Sequence, residues 1–199
     1  MMLPWTKRRL RQSHHESHQG AGSILRDVVF GANDGLVSNV SLVAGVAGAS
    51  SDSNNVLLAG IAGVVAGAIS MGLGAYISTK SEREFRLSEE LREWWEVENM
   101  PLEETAEIRE IFAAKGIHGE TLDDLVNQIT RDKDLWVRTM MREELGFSDE
   151  PPKPMISGFV MALAFAFAAS LPVFPYLFWG GNQALVISIS LTGFGLFGL

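Results

Sequence analysis

Apolar and polar residues fall along this chain in long blocks. From Val28 to Ala49 nearly every position is apolar, and Asp34 is the only charged residue between Val28 and Ser51. A membrane-spanning helix needs about 20 such residues, so this block predicts a first span. The polar loop Ser50 to Asn55 leads to a second span, Val56–Ser78, rich in glycine and alanine. A third runs from about Met155 to Phe178, with Pro172 and Pro175 near its end, where a kink is expected. Trp179-Gly180-Gly181-Asn182-Gln183 makes a turn, and a fourth apolar segment opens at Ala184 and is still apolar at Leu199. Its sixteen residues fall short of a full crossing.

Between the second and third spans lies a polar insert that reads as helical throughout. The second span continues into a charged helix from Lys80 to about Glu98, with Phe85, Leu87, Leu91, Trp94 and Trp95 as its apolar residues. Pro101 suits the first position of a new helix, which Gly116 stops. Thr121 followed by Asp124 resembles a capping box and opens a third helix, and a fourth covers about Asp132 to Gly146. Pro151, Pro152 and Pro154 form a stiff linker.

The predicted fold is therefore all-α: a polytopic helical membrane protein with a cytoplasmic helical insert, truncated within its fourth membrane helix. The divisions are a polar tail over 1–26, spans one and two over 27–79, the insert over 80–154, and spans three and four over 155–199. Lys and Arg set the orientation. The tail (Lys7, Arg8, Arg9, Arg11, Arg26) and the stretch after the second span (Lys80, Arg83, Arg86) are basic, whereas the 50–55 and 179–183 loops carry neither residue. The positive-inside rule places tail and insert in the cytoplasm. The tail does not fit a signal peptide, because the apolar stretch does not follow its basic start directly.

Charge is segregated. The insert holds 20 of the 24 acidic residues and 11 of the 16 basic ones, and no charge follows Lys153. A net charge of -8 argues against nucleic acid as a partner. With no cysteine, disulfides and thiolate metal sites are excluded, leaving oxygen, imidazole or thioether donors. Gly31-xxx-Gly35 and Gly63-xxx-Gly67 are small-xxx-small pairs, joined by Gly45, Gly48, Gly60, Gly72 and Gly74, that allow close helix approach in a bilayer.

Asp34 is costly at membrane depth, by about 2.5–3.5 kcal/mol on insertion scales, and such residues handle ions, protons or a partner charge. In the insert, Glu93 and Glu96 share a helix face, Glu104 and Glu107 repeat that spacing, and Met140, Met141 and Glu144 set thioethers one turn from a carboxylate. Taken singly, each Glu pair reads more simply as a solvated face, and Met140-Met141 as core packing. Together, carboxylate and thioether form a mixed hard and soft set that suits a divalent transition metal better than Mg2+ or Ca2+. His14, His15 and His18 lie in the polar tail, where a disordered tail is the simpler reading, and His118 stands in a turn without an assigned role.

The run Asp27-Val28-Val29-Phe30-Gly31-Ala32-Asn33-Asp34-Gly35-Leu36-Val37-Ser38, with Gly67-Ala68-Ile69-Ser70-Met71-Gly72-Leu73-Gly74, resembles the vacuolar iron transporter family. The insert, with its paired Glu and Met-Met-x-x-Glu, resembles that family's cytoplasmic metal-binding domain. The resemblance runs from about Arg26 to the end of the chain. It implies a homodimer with five membrane helices per subunit that exchanges cytosolic ferrous iron, and often Mn2+, for protons. Carried over, the cytoplasmic ligands fall on Glu93, Glu96, Glu104, Glu107, Met140, Met141 and Glu144, and the translocation residues on Asp34 and Met71. The family often has a Glu after its Ser-Met-x-x-Gly stretch, where this chain has Ala75.

The expected function is proton-coupled transport of Fe2+, or of Mn2+, Co2+ or Zn2+, out of the cytosol. Metal is the substrate, no cofactor is expected, and either a plasma membrane or a storage-vacuole membrane fits. Two other classes compete with this one. A di-iron carboxylate oxidase normally uses Glu-x-x-His pairs, and no Glu here has a His three residues later. A regulatory or scaffolding membrane protein would dock a partner on the acidic helices, anchored by Trp94 and Trp95, though packing at the base of the insert explains that pair more simply.

Overall fold

The computed structural model describes residues 18–50, 52–148 and 150–199, the first four without side-chain detail. His14 and His15 lie outside the described residues, and His18 is described only as the start of a helix. The described residues form seven α-helices and one 3-10 turn. They are α1 (His18–Ala49), α2 (Ser53–Asn99), α3 (Pro101–Ala114), α4 (Glu120–Thr130), α5 (Lys133–Glu143), α6 (Pro154–Ser170), the 3-10 turn Phe174–Leu177, and α7 (Gly181–Gly198).

Two helices, α1 from Gly22 and α2, are long and apolar enough to cross a membrane. α2 is continuous over 47 residues, about 70 Å at 1.5 Å per residue, so its apolar first half and charged second half form one rod. Asp52 starts it by accepting a hydrogen bond from the Asn54 amide at 2.9 Å.

α6 packs against both long helices, and glycines set the closeness. A Cβ on Gly35 would stand 2.6 Å from the Phe165 carbonyl oxygen, and one on Gly31 would stand 2.8 Å from that of Met161. On the other flank, Gly158 and Gly72 face each other, each 3.0 Å or less from the other's carbonyl by the same measure. Gly63 and Gly67 are as tight, against Asn39 and Phe165. The small-xxx-small pairs thus carry the close contacts, whereas Gly45, Gly48 and Gly74 have nothing within 4 Å of a would-be Cβ. The buried Asn39 amide joins all three helices, donating to the carbonyls of Ala169 at 2.6 Å and Gly60 at 3.3 Å.

The helix expected over Met155–Phe178 is shorter than that apolar run. α6 ends at Ser170, and the 3-10 turn carries the chain through Pro175. Neither Pro172 nor Pro175 has an N–H to continue the ladder. Ser188 on α7 donates to the Pro172 carbonyl at 2.7 Å and satisfies it. Val43, Val56, Val173, Tyr176 and Ala184 form a small core at this end.

At the other end, α3, α4 and α5 fold against the charged half of α2. Val97, Ile108, Leu122, Val126, Ile129, Trp136, Val137, Met140 and Met141 form one apolar core. Pro101 takes the first turn of α3 as predicted, and Gly116, at φ +89°, follows its end. The Thr121 capping box does not form. Gly119 caps α4 at φ +65°, a conformation open mainly to glycine, and the helix has already begun at Glu120. Asp132 caps α5, accepting from the amides of Asp134 at 3.0 Å and Leu135 at 3.2 Å. The tryptophan pair divides: Trp94 packs on the core, and Trp95 is 58% exposed.

Candidate metal-handling sites

Two places collect the residues singled out above. The first is the junction of α2, α3 and α5. Glu93 is 1% exposed and Glu104 is 4% exposed, so the fold buries a carboxylate from each of two helices. Met140 and Met141, from α5, are buried in the adjoining core, where they also serve as ordinary packing residues. Glu96 is partly buried, while Glu107 and Glu144 are exposed at the rim.

The buried carboxylates lack donors. Neither oxygen of Glu93, nor Oε2 of Glu104, accepts a hydrogen bond. Burial, followed by the nearby charges of Glu144, Glu104 and Glu96, pushes Glu93 up to about 7, with Arg92 pulling the other way. Burial, then Glu107, Glu96 and Glu144, pushes Glu104 up to about 7. Glu144 is raised too, by desolvation and then by Glu107. The five glutamates therefore feel one another across three helices, and a cation would relieve them.

Arg92 supplies the nearest positive charge. Its guanidinium lies 3.0 Å from Glu89, 3.5 Å from Glu96 and 3.7 Å from Oε1 of Glu93. Among the described residues, no three His, Asp or Glu side chains are already arranged to hold a metal ion. Sequence reasoning passed over Arg92, because an arginine among glutamates on a helix reads as ordinary pairing one turn away.

The second place is a cavity of about 250 Å³ between α1, α2 and α6. Asp34, Ser38 and Asn39 line it from α1, Gly63, Gly67, Ser70 and Met71 from α2, and Phe165 from α6. Asp34 and Met71 thus share one wall-to-wall space. The cavity also contains Asn39, whose buried Oδ1 has no hydrogen-bond partner. Asn39 was not singled out as a site residue, although a polar amide inside an apolar span is itself a signal.

One more carboxylate was overlooked. Asp27, seven residues before Asp34 on α1, is 4% exposed and accepts a hydrogen bond from Ser157 at 2.6 Å. Thr79 of α2 donates in turn to Ser157 at 3.1 Å. This chain of polar groups ties α1, α2 and α6 together beside the Pro151–Pro152 linker, next to a cavity of about 330 Å³.

Residues 25–199 match the sequence profile of the VIT family. The chain is 41% identical over 193 residues to "Vacuolar iron transporter 1" of Arabidopsis thaliana, covering 96% of this chain and 77% of that protein. It is 37% identical over 188 residues to "Vacuolar iron transporter 2" of Oryza sativa subsp. japonica, covering 94% and 76%. It is 39% identical over 176 residues to the "Vacuolar iron transporter" of Toxoplasma gondii, covering 86% and 58%.

Proposed function

The chain belongs to the VIT family, and from that premise we propose that it moves ferrous iron out of the cytosol in exchange for protons. It is a membrane transporter and not an enzyme. Mn2+ and other divalent transition metals are alternative cargo, since carboxylate and thioether donors accept them all.

In this reading the insert faces the cytoplasm, captures the ion, and raises its concentration at the mouth of the membrane pathway. Glu93 and Glu104 are the inner ligands, Glu96, Glu107 and Glu144 the outer ones, and Met140 and Met141 the thioethers. Asp34 and Met71 receive the ion in the membrane cavity. A single carboxylate cannot easily hold a proton and a metal ion together, so Asp34 would exchange one for the other. Two copies of the chain would assemble in a vacuolar or plasma membrane, with α6 and α7 crossing alongside α1 and α2.

The observation that carries the capture step is the pair Glu93 and Glu104. Two carboxylates from different helices are buried together, and three of their oxygens accept no hydrogen bond. Such an arrangement is costly unless a cation or a proton fills it. The test is calorimetric titration of the detergent-solubilised chain with Mn2+, anaerobic Fe2+ and Mg2+, beside a Glu104→Ala, Glu107→Ala double variant. Transition-metal binding that Mg2+ does not imitate and the variant loses is expected. Equal binding of all three ions would reduce the insert to a solvated acidic face.

A further inference from the structure

Arg92 lies against the rim of the glutamate cluster and contacts two of its carboxylates. It is the one basic side chain among the described residues that contacts three carboxylates, at 3.0, 3.5 and 3.7 Å. Two of these, Glu96 and Glu93, are proposed metal ligands, and the third, Glu89, is not. In the other ion pairs among the insert's described residues, each basic group meets one carboxylate, as Lys133 does Glu98 and Arg109 does Asp123.

We propose that Arg92 is a tethered competitor for the capture site: its guanidinium neutralises Glu93 and Glu96 until a divalent metal displaces it, and so sets the affinity of the site. This inference rests on the capture reading above. Three features support it. The guanidinium carries five donors in a planar fork and can serve several carboxylates at once. Its side chain is 49% exposed, so it can swing aside without crossing the core. Its shortest contact is to Glu89, one turn before Glu93, which can keep the displaced guanidinium paired.

The competitor also suits a transport function. A site that hands its ion onward must bind weakly enough to release it, and a built-in counter-ion lowers affinity without removing a ligand. It returns positive charge to Glu93 and Glu96 as the metal leaves.

The test is Mn2+ affinity of the full chain in detergent, for the wild-type protein, Arg92→Gln and Lys80→Gln. Lys80 pairs with Glu84 and lies thirteen residues, or about 20 Å, along α2 from Glu93, so its variant removes the same charge outside the cluster. Arg92→Gln is expected to bind Mn2+ roughly tenfold more tightly, about 1.4 kcal/mol, with Lys80→Gln within about twofold of wild type. Affinity that is unchanged or weaker in Arg92→Gln overturns the competitor, as does an equal gain in Lys80→Gln. If Arg92→Gln does not fold, Arg92→Lys carries the test with a smaller gain, because an ammonium reaches fewer carboxylates. Failure of the wild-type protein to bind Mn2+ would instead reject the capture reading itself.

Discussion

The Asn39 side-chain amide donates to the carbonyl of Ala169 at 2.6 Å, joining α1 to α6 beside the cavity that holds Asp34. Its second bond, to Gly60, brings in α2, so one side chain fixes the three helices that form the cavity. Asn39→Ala removes both bonds and leaves the Ala169 carbonyl, at the end of α6, short of a donor. A loss of about 1–2 kcal/mol is expected, read as a lower thermal midpoint in detergent. An unchanged midpoint would mean that glycine packing alone holds the helices.

That packing has its own test, because two glycines of α1 predict opposite signs. Gly35→Ala drives a methyl group into backbone atoms of Phe165 and Ala169, at 2.6 and 3.0 Å, which cannot yield as a flexible side chain could. It should destabilise by about 1–3 kcal/mol. At Gly45 a methyl group meets nothing within 4 Å, and alanine is the better helix former by about 0.5–1 kcal/mol. Gly45→Ala should therefore be neutral or stabilising. Equal losses in the two variants would contradict the α1·α6 contact.

These particulars show how much of the structure the sequence could carry. The continuity of α2 was legible, since no glycine or proline interrupts the chain from Tyr76 to Met100. So was Pro101 at the start of α3, where its missing N–H costs nothing. The cap of α4 was not, because a left-handed glycine at 119 lets the helix begin one residue before the hydroxyl of Thr121. The partners of Asn39 were beyond reach too: one lies 130 residues away, and no local pattern specifies it. At the candidate sites, residue types and spacings singled out the carboxylates and thioethers. Which of them are buried, and that Arg92 faces three at once, depends on how α3 and α5 fold back onto α2.

Burial of Glu93 and Glu104 predicts a pH dependence of stability for the metal-free protein. Both carboxyls are held up at about 7, against an ordinary value of 4.5. Between those values the folded chain binds more protons than the unfolded one, so stability falls as pH rises from about 4.5 to about 7. Above that window both states have lost the protons, and the full penalty remains. Glu93→Gln removes one of these groups and should be more stable than wild type at pH 8, with the difference closing toward pH 5. Thermal melts followed by circular dichroism across that range would measure it. A Glu93→Gln protein less stable than wild type at pH 8 would show that the carboxylate is well paired when ionised.

In the proposed transport cycle Asp34 is the exchanging carboxylate, and it shares its cavity with Met71 on the facing helix. Asn keeps the size and polarity of the side chain but can neither lose a proton nor neutralise a cation. In proteoliposomes with a pH gradient, Asp34→Asn should reduce Fe2+ flux roughly tenfold or more, whereas Mn2+ binding at the insert, whose first ligand Glu93 lies 22 residues beyond Met71 on α2, should change little. Met71→Leu keeps the volume and removes only the thioether, so it should slow Fe2+ more than it slows harder ions such as Mg2+, if those move at all. Asp34→Asn flux that still follows the pH gradient would remove this carboxylate from the exchange. Loss of flux together with loss of insert binding would point to a folding defect, which the melting experiment on the same variant would reveal.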